Sequence, residues 1–336
     1  MADYKNIKGF NIQYLDSDPP NPIEGQMWFN STTQTLKGVE AGGAPVGTWA
    51  SGTSMPTAIN NNAGFGQQTD SISAAGAATG QTVGGFTNVY SYDGTSWTTL
   101  SPLPTSTYAA ASVGTSSADG FLSTGATGTP TLLNFTLLYN GSSWTAGANA
   151  NVTAAYRDAS SRGSTTAAIM FGGYTQVPLV PGITNTESWD GTSWTIVNAM
   201  NTGKNESTGF GVQTAAISAT GQAAGTYLTN VESWDGTSWT EVAEVNTGVA
   251  DAGQAGLSTS GIKFGGANGG GVTGATEFYN GTTWTELSDL ATARSIGGSS
   301  GTSDSALFAG GYTTVSVATV EEWTAPPISI KTFTTS

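Results

Sequence analysis

Four glutamates recur at one place in this chain: Glu187, Glu232, Glu277 and Glu321 each stand two residues before an aromatic. Such a set could ligate a cation or act as general acid and base. Glycoside chemistry, however, needs two carboxyls within about 5–10 Å, and equivalent positions in successive repeats lie far apart. The four glutamates therefore read as structural, paired with backbone amides or with Arg157, Arg162 and Arg294. Asp93, Asp190 and Asp235, each followed by Gly, suggest calcium. One carboxylate per turn falls short of the roughly six oxygens that ion takes. Ten tryptophans could stack on sugars, but at a strict repeat spacing they read as packing. The chain has no Cys and no His, so thiolate nucleophiles, imidazole bases and the commonest metal ligands are missing. No catalytic, cofactor or metal site is expected, and the chain reads as a non-enzyme.

The aspartates and tryptophans belong to one repeated string. Tyr92-Asp93-Gly94-Thr95-Ser96-Trp97 returns almost unchanged at Trp189–Trp194 and Trp234–Trp239, and within type at Tyr139–Trp144 and Tyr279–Trp284. Asx-Gly between aromatic or β-branched runs is a hairpin signal, because Gly takes positive φ at little cost. With Trp49, the second Trp of each copy recurs at intervals of 48, 47, 50, 45 and 45 residues, a period in the range of propeller blades. Upstream lie apolar runs ending in Gly: Gln81–Gly85, Ala168–Gly173, Ile262–Gly266 and Ala306–Gly311, with weaker copies at Leu122–Gly125 and Ile217–Gly221. Between each Trp and the next run sits a small-residue segment. One period thus holds four short strands: a small one (a), the apolar one (b), the aromatic one (c) and the Trp strand (d).

The c–d turn has fixed length, whereas the distance from the last Gly of b to the aromatic of c runs 7, 14, 16, 13, 13 and 12 residues. Variable loops on a rigid scaffold are where recognition usually sits. The candidate contact surface is therefore the loops Gly125–Thr131, Tyr174–Ile183 and Ala267–Gly274, with Thr127, Tyr174, Gln176 and Asn268 as candidate recognition residues.

Charged residues make up 10% of the 336, against about a quarter in an average protein, which leaves little to clothe long surface helices. Nine basic against 23 acidic residues give a net charge of −14. This argues against nucleic acid or anionic lipid as a partner. No stretch approaches the ~18 apolar residues of a membrane helix, and no signal peptide is visible.

An apolar strand closed by Gly-Gly, then an aromatic, then a Trp, repeating at this period, resembles the kelch motif of β-propellers across residues 44–325. The resemblance implies an all-β, six-bladed propeller. In it the strand around Trp49 completes the last blade, whose own b–c pair (Ala306–Gly311, Val320–Trp323) has no following turn. A seventh blade arises if the hairpin at 28–39 starts its own. Kelch-type copper oxidases use His, Tyr and Cys together, and this chain lacks two of the three. Expected units are an arm over 1–43 with a small hairpin, the propeller over 44–326 and a tail over 327–336. In the arm, Pro22-Ile23-Glu24-Gly25-Gln26-Met27-Trp28-Phe29-Asn30-Ser31 resembles short segments of tail-fibre and other virion proteins of marine bacteriophages. That resemblance implies a non-enzymatic virion protein, made in the host cytoplasm and present in multiple copies per particle. The arm would dock on capsid or tail through Tyr14, Trp28 and Phe29, and the propeller would bind a host-surface glycan or receptor or stabilise the particle. The alternative is a carbohydrate-binding or carbohydrate-active propeller outside any virion.

Overall fold

The computed structural model describes residues 12–19, 27–39, 47–79, 84–128, 131–175, 182–325 and 330–333. Among them every regular element is a strand. The chain divides into two compact units, Gly47–Ala325 and a smaller one made of Met1–Val46 with Pro326–Ser336.

The larger unit contains six four-stranded antiparallel sheets among the described residues. Strands a to d of the first are Ala63–Gln67, Asp70–Ala74, Val89–Tyr92 and Trp97–Thr99. The second has Ala111–Ser116, Asp119–Ser123, Thr136–Tyr139 and Trp144–Ala146; the third, Asp158–Ala159, Ala168–Phe171, Thr186–Trp189 and Trp194–Val197. The fourth has Thr208–Val212, Ala215–Ala219, Val231–Trp234 and Trp239–Glu241; the fifth, Gly253–Leu257, Ser260–Phe264, Thr276–Tyr279 and Trp284–Glu286. The sixth takes Gly298–Gly301, Ser305–Ala309 and Val320–Thr324 from the end of the unit, and its strand d, Thr48–Ser51, from the beginning. There Trp49 pairs with Trp323. Strand a of each sheet packs against strand a of the next, and that of the sixth against that of the first.

The repeated string forms a four-residue loop. Its Asx side chain caps the turn: Asp93 Oδ1 accepts the amides of Thr95 and Ser96, both at 2.8 Å, and Asp190, Asp235, Asn140 and Asn280 repeat the contact. The aspartates suspected of calcium binding are thus occupied by their own turns.

Strand b ends in two consecutive left-handed residues in every sheet, the second always Gly. Their φ values are 63° and 95° at Gly172–Gly173 and 66° and 101° at Gly265–Gly266, but 64° and 101° at Ala75–Gly76. The apolar strand expected at Gln81–Gly85 in the first repeat is accordingly misplaced: strand b is Asp70–Ala74. Gly84 and Gly85 lie in the b–c connection, and residues 81–83 fall outside the described residues. The backbone requires the left-handed conformation, which Ala75, Thr124 and Thr220 adopt without being Gly, so a search for Gly-Gly missed the true end of the strand. Measured from Gly76, the first b–c connection is as long as the third.

The tryptophans of strand d pack between sheets, as their spacing suggested. Trp194 meets Phe121, Trp239 meets Phe171, Trp284 meets Phe210 and Trp49 meets Phe264, with ring centroids 4.8–6.1 Å apart. Where strand c of the preceding sheet begins with Thr, its hydroxyl accepts the indole N–H. Trp194 uses Thr136 (2.9 Å), Trp239 uses Thr186 (3.0 Å) and Trp49 uses Thr276 (3.1 Å). Val89 holds that position opposite Trp144, whose indole nitrogen has no partner. An unmet buried donor costs about 1–3 kcal/mol. Thr136→Val is therefore expected to lower unfolding free energy by about 1–2 kcal/mol and Val89→Thr to raise it by up to about 1 kcal/mol, read from guanidinium denaturation.

In the smaller unit Met27–Asn30 and Thr35–Val39 form the expected hairpin. Gln13–Leu15 adds in parallel on one side and Ile330–Phe333, from the expected tail, antiparallel on the other. Asp18 holds this sheet together by accepting from Trp28 Nε1 (3.0 Å), Asn30 Nδ2 (2.8 Å) and Lys37 Nζ (2.7 Å). Those donors, Lys37 first, draw its carboxyl down to about 2.

Candidate functional site

One position per repeat, twelve residues after each repeat Trp, enters strand a in the left-handed conformation: Asn61, Ala109, Tyr156, Glu206, Asp251 and Ile296, with φ between 49° and 58°. Their backbones form a cycle. Ala109 N donates to Asn61 O (3.1 Å), Tyr156 N to Ala109 O (3.1 Å) and Glu206 N to Tyr156 O (3.3 Å). Asp251 N then donates to Glu206 O (2.9 Å), Ile296 N to Asp251 O (2.9 Å) and Asn61 N to Ile296 O (2.6 Å). The residue just before each of these is bridged to the first residue of its own b–c connection, as in Ala155↔Tyr174 and Asn205↔Gln222. The b–c connections therefore stand on the same end of the sheets as this cycle.

The cycle rims a cavity of about 110 Å³ lined by residues of all six sheets. Further in, Gln254 Nε2 of the fifth sheet reaches Asp158 Oδ1 of the third (3.3 Å). At the far end of the strands Arg162 turns inward. Its amide donates to Gly211 O (3.0 Å) and its Nη1 lies 3.5 Å from Gly66 O, so it bridges the first and fourth sheets.

The lining is acidic. Asp158 is 8% exposed, its Oδ2 has no partner, and burial pushes its carboxyl up to about 8 against the pull of the Ala159 and Gly209 amides. Burial also raises Glu206, which accepts from Gln222 Nε2 (2.8 Å). Asp251 is raised well above its ordinary value by burial and by the charge of Glu206. Arg157 beside them is committed to Glu187. Between the ordinary carboxyl value and about 8, the folded protein keeps a proton on Asp158 that the unfolded chain has released. Stability from this group is full below the ordinary value and falls as pH rises through the folded one, and Glu206 and Asp251 act in the same direction. The lowered carboxyls Asp18 and Asp190 change charge only at lower pH, and Lys204, drawn down to about 8 by burial, contributes above that. The thermal midpoint is therefore expected to fall by several degrees between about pH 5 and about pH 8, and Asp158→Asn to flatten that slope, read by calorimetry.

The residues singled out from sequence do not form one cluster. Tyr174 is buried and stacks on Tyr156 with centroids 5.4 Å apart, beside the mouth. Thr127 and Asn268 lie in two-stranded ribbons of their b–c connections, Ala126–Gly128 with Thr131–Leu132 and Ala267–Asn268 with Gly271–Val272. Gln176 lies outside the described residues. In the smaller unit Trp28 is buried on Asp18, while the 76% exposed Tyr14 lies against Phe29 at 4.8 Å. The recurrent glutamates are structural: Glu187 pairs with Arg157 and Glu321 with Arg294, and Glu277 with Lys263 at 2.8 Å. Glu232 accepts the amides of Asn201 (2.7 Å) and Thr202 (3.0 Å). Arg162, expected to pair with a glutamate, bonds the backbone carbonyls of Gly66 and Gly211 instead. Among the described residues no group of three or more Asp or Glu side chains is placed to hold a metal ion. The cavity acids escaped notice because their type changes from repeat to repeat; for Glu206 and Asp251, each twelve residues after a repeat Trp, that distance was the available signal.

An all-β fold of this kind is already known. A solved structure, described only as the structure of YjhT, superposes with a TM-score of 0.68 at 16% identity, covering 84% of this chain and 99% of that one. Similarity at that identity bears on the fold alone. No family model matches the chain, and no curated protein does.

Proposed function

We propose that Gly47–Ala325 is a six-bladed, kelch-like β-propeller serving as a non-enzymatic recognition or decoration component of a virus particle, to which residues 1–43 attach it. Support for the propeller is the cyclic order of contacts between the six strands a, with the sixth sheet completed from the beginning of the unit. Such closure removes the open sheet edges that invite aggregation. The observation that carries the virion reading is the segment Pro22–Ser31, with its likeness to virion proteins of tailed phages. The b–c connections, set around the mouth, supply a surface for a host glycan or receptor.

The decisive measurement is the protein's presence in purified particles, and absence there ends the virion reading. Deleting residues 1–43 is expected to abolish incorporation while leaving the larger unit folded; unchanged incorporation refutes the attachment role. Binding on a glycan array by protein that is absent from particles would favour a carbohydrate-binding propeller outside a virion.

A further inference from the structure

The cavity carries chemistry of its own. Three carboxyls, Asp158, Glu206 and Asp251, face one space of about 110 Å³, room for several water molecules. The neighbouring cation Arg157 is neutralised by Glu187. Asp158 Oδ2 is an acceptor left without a donor on a side chain that is 8% exposed. Burying such an atom unmet is costly, and the Gln254 amide nearby is spent on the other oxygen. A donor-rich, positively charged group complements that acceptor and the acids around it. A directly coordinated metal ion fits poorly, because it needs several oxygens converging at about 2.3–2.6 Å, and no such group of acids exists among the described residues. A neutral sugar gains nothing from the charge of the three acids, whereas an ammonium ion beside them favours their ionised forms and is held by them. Tyr156, on the rim and backed by Tyr174, adds an aromatic surface of the kind that attracts organic cations.

We propose that this cavity binds a small organic ammonium ion, its charge held by Asp158, Glu206 and Asp251 and its alkyl part by the Tyr156 ring. The site is independent of the virion reading, since it belongs to the larger unit alone. Isothermal titration of the purified full chain with ethanolammonium, tetramethylammonium, calcium and glucose tests it. Saturable binding of an ammonium at one site is expected, with glucose and calcium silent. Asp251→Asn is expected to weaken binding by about tenfold or more, while Ile196→Thr on the exposed strand d of the third sheet leaves it unchanged. Preference for ethanolammonium assigns the leading role to N–H donation and preference for tetramethylammonium assigns it to the aromatic face; either supports the site. Binding of calcium or glucose in place of ammonium, or no binding at all, overturns it. If Asp251→Asn fails to fold, ring resonances of Tyr156 in the unaltered protein decide: a saturable shift with ammonium supports the site, and saturation without that shift refutes it. None of these readouts depends on particle incorporation.

Discussion

Deleting Gly47–Ser51 is expected to abolish cooperative unfolding of the larger unit, or to leave a species that associates through its sixth sheet. Without Thr48–Ser51 the strand Val320–Thr324 becomes an edge with unpaired backbone groups, a template for pairing with another chain. The same deletion uncovers Trp323, otherwise fully buried and 5.6 Å from Trp49. It also strips Phe264 of its neighbour at 4.8 Å and takes the indole donor from Thr276. Trp49→Ala isolates the packing part while keeping the strand. Large aromatic truncations in well-packed sites cost about 3–5 kcal/mol, and Trp49 is half-buried, so about 3 kcal/mol is expected from denaturant unfolding. A fully cooperative monomer after the deletion would show that the sixth sheet does not need its strand from the beginning of the unit.

Separating Arg294 from Glu321 is expected to cost about 3–5 kcal/mol from either side. Both side chains are essentially inaccessible. Arg294 donates to Gly310 O (3.0 Å), Phe308 O (2.9 Å) and Thr292 O (3.1 Å) besides Glu321, and lies 4.4 Å from the centroid of the Phe308 ring. Glu321 in turn accepts the amides of Ala291 (2.7 Å) and Thr292 (3.1 Å), tying strand c of the sixth sheet to the loop that enters it. Arg294→Leu strands a buried carboxylate, and Glu321→Leu strands a buried guanidinium. Removing both charges should cost clearly less than the sum of the singles, because neither ion is then left alone. Strict additivity in a double-mutant cycle would mean that the carbonyls and amides, not the pair, hold these side chains.

How much of this was legible in sequence depended on where the information lies. The Asp93–Ser96 turn and its kin are specified locally: the Asx side chain caps its own loop and the flanking aromatics pair across it, so six residues suffice to recognise it. The four-strand period followed from the spacing of those turns. The end of strand b was harder, because Ala75, Thr124 and Thr220 take a conformation usually entrusted to Gly. The cavity was invisible to any search for matched side chains. Glu206 and Asp251 occupy the same repeat position as Ala109 and Ile296, and what these positions share is a backbone conformation. The bonds of Arg162 to Gly211 O and Gly66 O follow a strand shortened to Asp158–Ala159, a departure from the repeat that periodicity cannot predict.

The cycle of six left-handed residues has one more consequence. Its hydrogen bonds run entirely between main-chain atoms, so skeleton and chemistry are uncoupled at the mouth. An amide, a methyl, a phenol, two carboxylates and a branched alkyl already occupy the six places within a single molecule. Each place is thus a socket in a shared frame, and exchanging its occupant for another side chain that tolerates the left-handed backbone changes what the mouth can hold. A new specificity could be assembled there by substitution at six addresses, each found by counting twelve residues from a tryptophan.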